Sequence, residues 1–143
     1  MIAFDKAAKR WSVAWLVMAL LLAIHVLDEA LTGFLPRYNA TVVSLRETLG
    51  WFPFPVFTFA SWISGLIAGV LLVLLLALVA RAGRRWLLML AYPFGAIMVL
   101  NGLGHLGLSV YLREWFPGVM SSVLLLPGSI WFLVATRRFH RAA

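Results

Sequence analysis

The sequence predicts an all-α integral membrane protein, a bundle of about four transmembrane helices with both termini on the cytoplasmic side. Of its 143 residues, 64% are hydrophobic and 12% charged. A soluble domain is roughly half apolar and a quarter charged, so no water-facing surface can be assembled from this chain. The apolar residues fall in runs of about 20 or more, the length that crosses a hydrocarbon core of roughly 30 Å at about 1.5 Å per residue. The basic residues form three clusters: Lys6, Lys9 and Arg10 before the first run, Arg81, Arg84 and Arg85 between the second and third, and Arg137, Arg138 and Arg141 after the fourth. These occupy alternate connections, while the other two hold only Arg37, Arg46 and Arg113. That asymmetry is the signature of positive-inside flanks. The net charge of +7 therefore serves topology and anionic headgroups, and nucleic acid is not an expected partner. The chain has no cysteine, which excludes disulfides and thiolate metal sites.

A single domain over 1–143 is expected, with spans at about 11–33, 55–79, 86–112 and 116–135. The first follows a short basic lead-in and is too long, with no small-x-small cleavage site after it, to be a cleaved signal. The stretch 34–55 reads as an external loop with a short interfacial helix near 44–48, anchored at headgroup level by Trp51, Phe52 and Phe54. In span two, Ser61, Gly65 and Gly69 recur every four residues and predict a seam for close helix approach. Pro93 should bend span three near its cytoplasmic end. In span four, Pro117 suits the first turn, and Pro127 with Gly128 should kink the middle.

The polar residues inside the spans carry the functional signal. Asp28 and Glu29 follow His25 in span one. A charged side chain at mid-bilayer costs about 2.5–3.5 kcal/mol, so these groups must face the bundle interior or a wet cavity. At about 100° per residue, Asp28 lies about 60° to one side of His25 and Glu29 about 40° to the other, so the three share a face. Span three repeats the pattern with Asn101 and His105, followed by Ser109. Counting from Trp11, His25 and Glu29 lie roughly 21 and 27 Å along; from Trp86, Asn101 and His105 lie roughly 22 and 28 Å along. The two groups meet at one level in the outer half of the bilayer. Thr58, Ser61, Ser64, Ser121 and Ser122 lie near the same end, which predicts a polar pocket floored by aliphatic packing.

Two imidazoles and a carboxylate make a workable site for a divalent metal, zinc or iron, with His25, Glu29 and His105 as ligands and Asp28 and Asn101 orienting a water or substrate. Two other arrangements use the same residues: metal-free acid/base chemistry between carboxylate and imidazole, and a buried network that only joins spans one and three. Haem on the His pair is disfavoured by the adjacent carboxylates.

His25-Val26-Leu27-Asp28-Glu29, Asn101 to His105, and the segment from Phe116-Pro117-Gly118 to Pro127 together resemble the HXXEE-domain family of small bacterial integral membrane proteins. The resemblance covers most of the chain in order and implies the helical fold and the importance of these polar residues, but no particular reaction. It departs at Asp28, where the family motif has Glu. The resulting expectation is a multi-pass protein of the bacterial inner (cytoplasmic) membrane, an enzyme acting on a lipid or other amphiphile by hydrolysis or proton-transfer isomerisation. Two alternatives belong to other classes: a cation- or proton-binding transport protein, and a non-catalytic interaction subunit. Homo-oligomerisation is open to all three.

Overall fold

The structure is a computed structural model that describes residues 2–142; residues 1 and 143 of the expected domain lie outside the described range. Among the described residues the regular elements are all helical: α1 Ile2–Thr32, α2 Phe34–Leu49, α3 Phe59–Arg81, a single 3-10 turn Arg85–Leu87, α4 Leu88–Leu112 and α5 Val119–Ala142. Four helical stretches, Phe4–Thr32, Phe59–Arg81, Arg85–Leu112 and Val119–Ala142, are long and apolar enough to cross a membrane. The protein is a helical membrane protein.

Glycines in the left-handed region break the chain where it must turn, at Gly33 (φ 81°) between α1 and α2 and at Gly50 (φ 72°) after α2. Between them no glycine intervenes, and Pro36 falls in the first turn, where its missing N–H is not needed. The stretch expected to be mostly loop is therefore helical for 16 residues. Residues 51–58 then run without helix to Thr58, whose hydroxyl accepts from Ser61 N (3.2 Å) and caps α3. The basic lead-in continues α1 without a break. Pro117 does not open α5 but precedes it, since Gly118 (φ 83°) intervenes, and α5 runs on past 135 to Ala142. Pro93 and Pro127 lie inside α4 and α5, which continue through them.

α1 packs against α3 on one side and α5 on the other, and α4 packs on α5. The core at the basic end is aromatic. Trp11, Trp15, Met18, Phe132 and Phe139 are fully buried; Trp11 stacks on Phe139 with centroids 4.1 Å apart and donates from Nε1 to Thr136 Oγ1 (3.0 Å). Trp15 stacks on Phe94 and meets Phe132 edge-on. The expected aliphatic floor is thus corrected to a mixed one, in which rings join Met18, Val73, Leu87 and Leu125. The expected glycine seam is corrected as well. A Cβ on Gly65 or Gly69 would meet nothing within 4 Å, whereas one on Gly95 would come within 2.5 Å of Leu133 and one on Gly102 within 3.3 Å of the Leu126 backbone. Close approach belongs to α4 and α5, where Gly95 and Gly102 admit Leu133 and Leu126.

Candidate metal centre

At the end away from the basic clusters, the last turns of α1, the fifth turn of α4 and the first turn of α5 converge. α5 begins at a glycine that offers no side-chain cap, and α1 supplies one. Asp28 Oδ2 accepts from Ser121 N (2.8 Å) and from Ser121 Oγ (2.7 Å), and Thr32 Oγ1 accepts from Gly118 N (3.2 Å). A carboxylate there satisfies free N–H groups and complements the positive end of the helix.

His25, Glu29 and His105 are buried together. The two imidazole rings meet edge to face with centroids 4.8 Å apart. Glu29 Oε1 lies 3.4 Å from His25 Nε2 and 3.1 Å from His105 Nε2, and one ligand atom from each of the three residues lies within 4.8 Å of the other two.

The far side of each ring decides what its near side presents. His105 Nδ1 is 2.5 Å from Pro117 O; a carbonyl only accepts, so Nδ1 carries the proton. His25 Nδ1 is 2.8 Å from Ser121 Oγ. That hydroxyl has one proton and two acceptor oxygens beside it, Asp28 Oδ2 at 2.7 Å and Gly118 O at 3.1 Å, so it receives from His25 rather than giving to it. Both rings consequently turn Nε2 toward the Glu29 carboxylate, as a lone pair when the ring is neutral and as an N–H donor when it is protonated. Three possible ligand atoms thus face one another, and His25 Nε2 is buried without a hydrogen-bond partner.

Gly118 closes this arrangement from above. A Cβ there would lie 2.8 Å from the His105 ring and 3.1 Å from Glu29 Cγ. Asn101, one turn from His105, has a buried Oδ1 with no partner. It shares with His105 a groove of about 310 Å³, walled also by Phe34, Arg37, Tyr38 and Phe116. Over this groove α2 is pinned by the Arg37–Glu114 ion pair and by the Arg37 guanidinium 5.5 Å over the Phe116 ring. Their mutual hydrogen bond lowers the Glu114 carboxyl below its ordinary range and raises Arg37 further.

A family model described as "Protein of unknown function with HXXEE motif" matches residues 15–132. The chain belongs to the HXXEE family. No curated protein and no solved structure matches it. In this HXXEE protein the last two motif positions do different things: Asp28 turns to the start of α5, and Glu29 turns to the imidazoles. The departure from Glu to Asp falls on the position that holds a helix terminus.

Of the five residues singled out in the sequence, His25, Glu29 and His105 form the cluster, Asp28 reaches it through Ser121, and Asn101 lies beside it in the groove. Thr58, Ser61 and Ser64 do not take part; they are satisfied within the first turns of α3. Ser121, Gly118, Thr32 and the Pro117 carbonyl were not singled out as site residues. Gly-x-x-Ser-Ser after a proline at a helix start was the signal for the first two. A backbone carbonyl leaves no trace in a sequence.

Proposed function

We propose that His25, Glu29 and His105 hold one divalent metal ion, zinc or iron, and that the protein is a membrane-embedded hydrolase of a lipid or other amphiphile that reaches the ion along the Asn101 groove. The observation that carries this reading is the pair of Nδ1 contacts, to Pro117 O and Ser121 Oγ, which turns both Nε2 atoms and the Glu29 carboxylate toward a common space. A tetrahedral ion with bonds of about 2.0–2.2 Å sets its ligand atoms roughly 3.3 Å apart, and the two Glu29 contacts, 3.1 and 3.4 Å, bracket that value. All three ligand atoms lie within 4.8 Å of one another, so the remaining His–His edge would have to shorten by up to about 1.5 Å around such an ion. Imidazoles tethered through Nδ1 to a carbonyl or a carboxylate relay are the usual outer support of such a centre. Charge supports it too: a dication beside Glu29 and Asp28 makes a neutral ensemble, which a low-dielectric bundle interior favours.

Three protein ligands leave a position open, and a divalent ion there supplies Lewis acidity and a low-pKa water. Asn101 Oδ1 would orient the substrate's polar head, and Phe34, Tyr38 and Phe116 would shelter its apolar part. The layer of Trp15, Phe94 and Phe132 beneath the cluster favours a dead-end pocket over a transport path. The reading sets the bundle in a bacterial inner membrane with the basic end cytoplasmic, which puts the pocket in the outer half.

Metal analysis of the detergent-purified protein tests the centre. One ion per chain is expected, lost in His25→Ala, Glu29→Ala and His105→Ala, retained in Asn101→Ala, and released on acidification as the imidazoles protonate. A metal-free wild type that gains no thermal stability from added zinc or iron, yet loses about 3–5 kcal/mol when one partner is removed, would reduce the cluster to a structural network.

A further inference from the structure

We propose that the lateral groove between α1 and α5 at the basic end binds one anionic phospholipid, its phosphate held by Lys9, Arg10 and Arg138 and an acyl chain laid along Val13, Val134 and Trp131. The groove encloses about 420 Å³ and is formed by these side chains. Its polarity follows from helix direction. On α1, Val13 lies one turn past Lys9 and Arg10 toward the bundle's middle. On α5, which runs the opposite way, Trp131 lies seven residues before Arg138, roughly 10 Å deeper at about 1.5 Å per residue. The cations of both helices therefore gather at the headgroup end, and the apolar side chains of both gather at the hydrocarbon end. A phospholipid standing in its leaflet has the same sequence of charge and apolar chain.

Charge complementarity selects the headgroup. Lys9, Arg10 and Arg138 are exposed and form no ion pair among the described residues. The sole acidic residue at this end of the chain, Asp5, does not line the groove. Arg37 at the other end, by contrast, has Glu114. Three cations converging without a counter-ion on a membrane-facing surface match a phosphate that carries net negative charge in its lipid. A zwitterionic headgroup would set its own ammonium among them. Topological flanking alone needs cations near the interface but no groove between them.

Native mass spectrometry of the detergent-purified protein, titrated with phosphatidylglycerol or phosphatidylcholine of the same acyl chains, is the test. One phosphatidylglycerol per chain should be retained under conditions that strip phosphatidylcholine. Lys9→Gln, Arg10→Gln and Arg138→Gln should each weaken retention about five-fold, the size of one cation near an anionic headgroup. Arg84→Gln, at the same end but outside the groove, should leave it unchanged, and Arg138→Lys should retain most of it. These positions are exposed, and melting curves without lipid verify that each variant is folded. Equal retention of both lipids, an equal loss in Arg84→Gln, or displacement of the lipid by millimolar inorganic phosphate would each overturn the proposal. The first would show an apolar groove indifferent to headgroup charge, the second diffuse surface charge, and the last a phosphate site with no acyl groove.

Discussion

Gly118 is constrained twice, by a left-handed backbone at φ 83° and by the His105 ring and Glu29 stem where its side chain would stand. Gly33 shares the first constraint, at φ 81°, but has nothing within 4 Å, so the pair separates strain from contact. Each substitution to Ala should cost about 1–2 kcal/mol for the left-handed conformation. Gly118→Ala should in addition push His105 off Pro117 O and weaken metal binding by about ten-fold or more, in the range of a lost supporting contact. Thermal melts and metal titrations of the two variants side by side check this, and equal metal affinity would mean that Gly118 does not shape the centre. At this scale the sequence was partly legible. Helical spacing put His25, Asp28 and Glu29 on one face, and depth counting brought His105 to them, because both rest on fixed helix geometry. Asp28's attachment to Ser121 depends on how α1 and α5 are set against each other, which spacing along one helix does not contain.

Among the elements, the four-residue spacing of Ser61, Gly65 and Gly69 looks like an assembly motif, yet it faces outward, and the intimate contact is made by Gly95 and Gly102 of α4 against Leu133 and Leu126 of α5. Small residues permit close approach but do not choose the partner. Gly102→Leu and Gly95→Leu should therefore separate α4 from α5 and destabilise the protein by about 1–3 kcal/mol through overpacking. Gly65→Leu and Gly69→Leu should melt like wild type as the monomer. The thermal stabilities of the four variants, with chain stoichiometry measured alongside, decide it. A marked loss from Gly65→Leu in a protein that is oligomeric would move the seam to an interface between copies. α2 was underestimated for a related reason. Its residues are polar enough to escape any hydropathy window, and what makes them helical is local: a left-handed glycine at each end and a proline in the one turn that accepts it.

The molecule as a whole places α1 between α3 and α5, with α4 outermost on α5, and collects the three basic clusters at one end. Four spans were legible because membrane thickness fixes helix length; the order of neighbours was not, since apolar helices carry no label for one another. Reporter fusions at the turn after Arg85 and at the C-terminus should report the cytoplasmic side, and an insertion at Gly50, which has open space around it, the opposite side. A C-terminus found outside would invert the placement of the proposed metal centre. The central position of α1 also has a consequence for biosynthesis. The helix that carries His25, Asp28 and Glu29 is made first, while the Ser121 that receives Asp28 follows 93 residues later, a delay of roughly 5–20 s at ribosomal elongation rates. Throughout that interval Asp28, a charge that costs about 2.5–3.5 kcal/mol at mid-bilayer, lacks Ser121, while Glu29 has His25 on its own helix and gains His105 once α4 is made. The earliest made of these four helices is thus the last to be satisfied, and must wait near the interface or against the insertion machinery until α5 arrives.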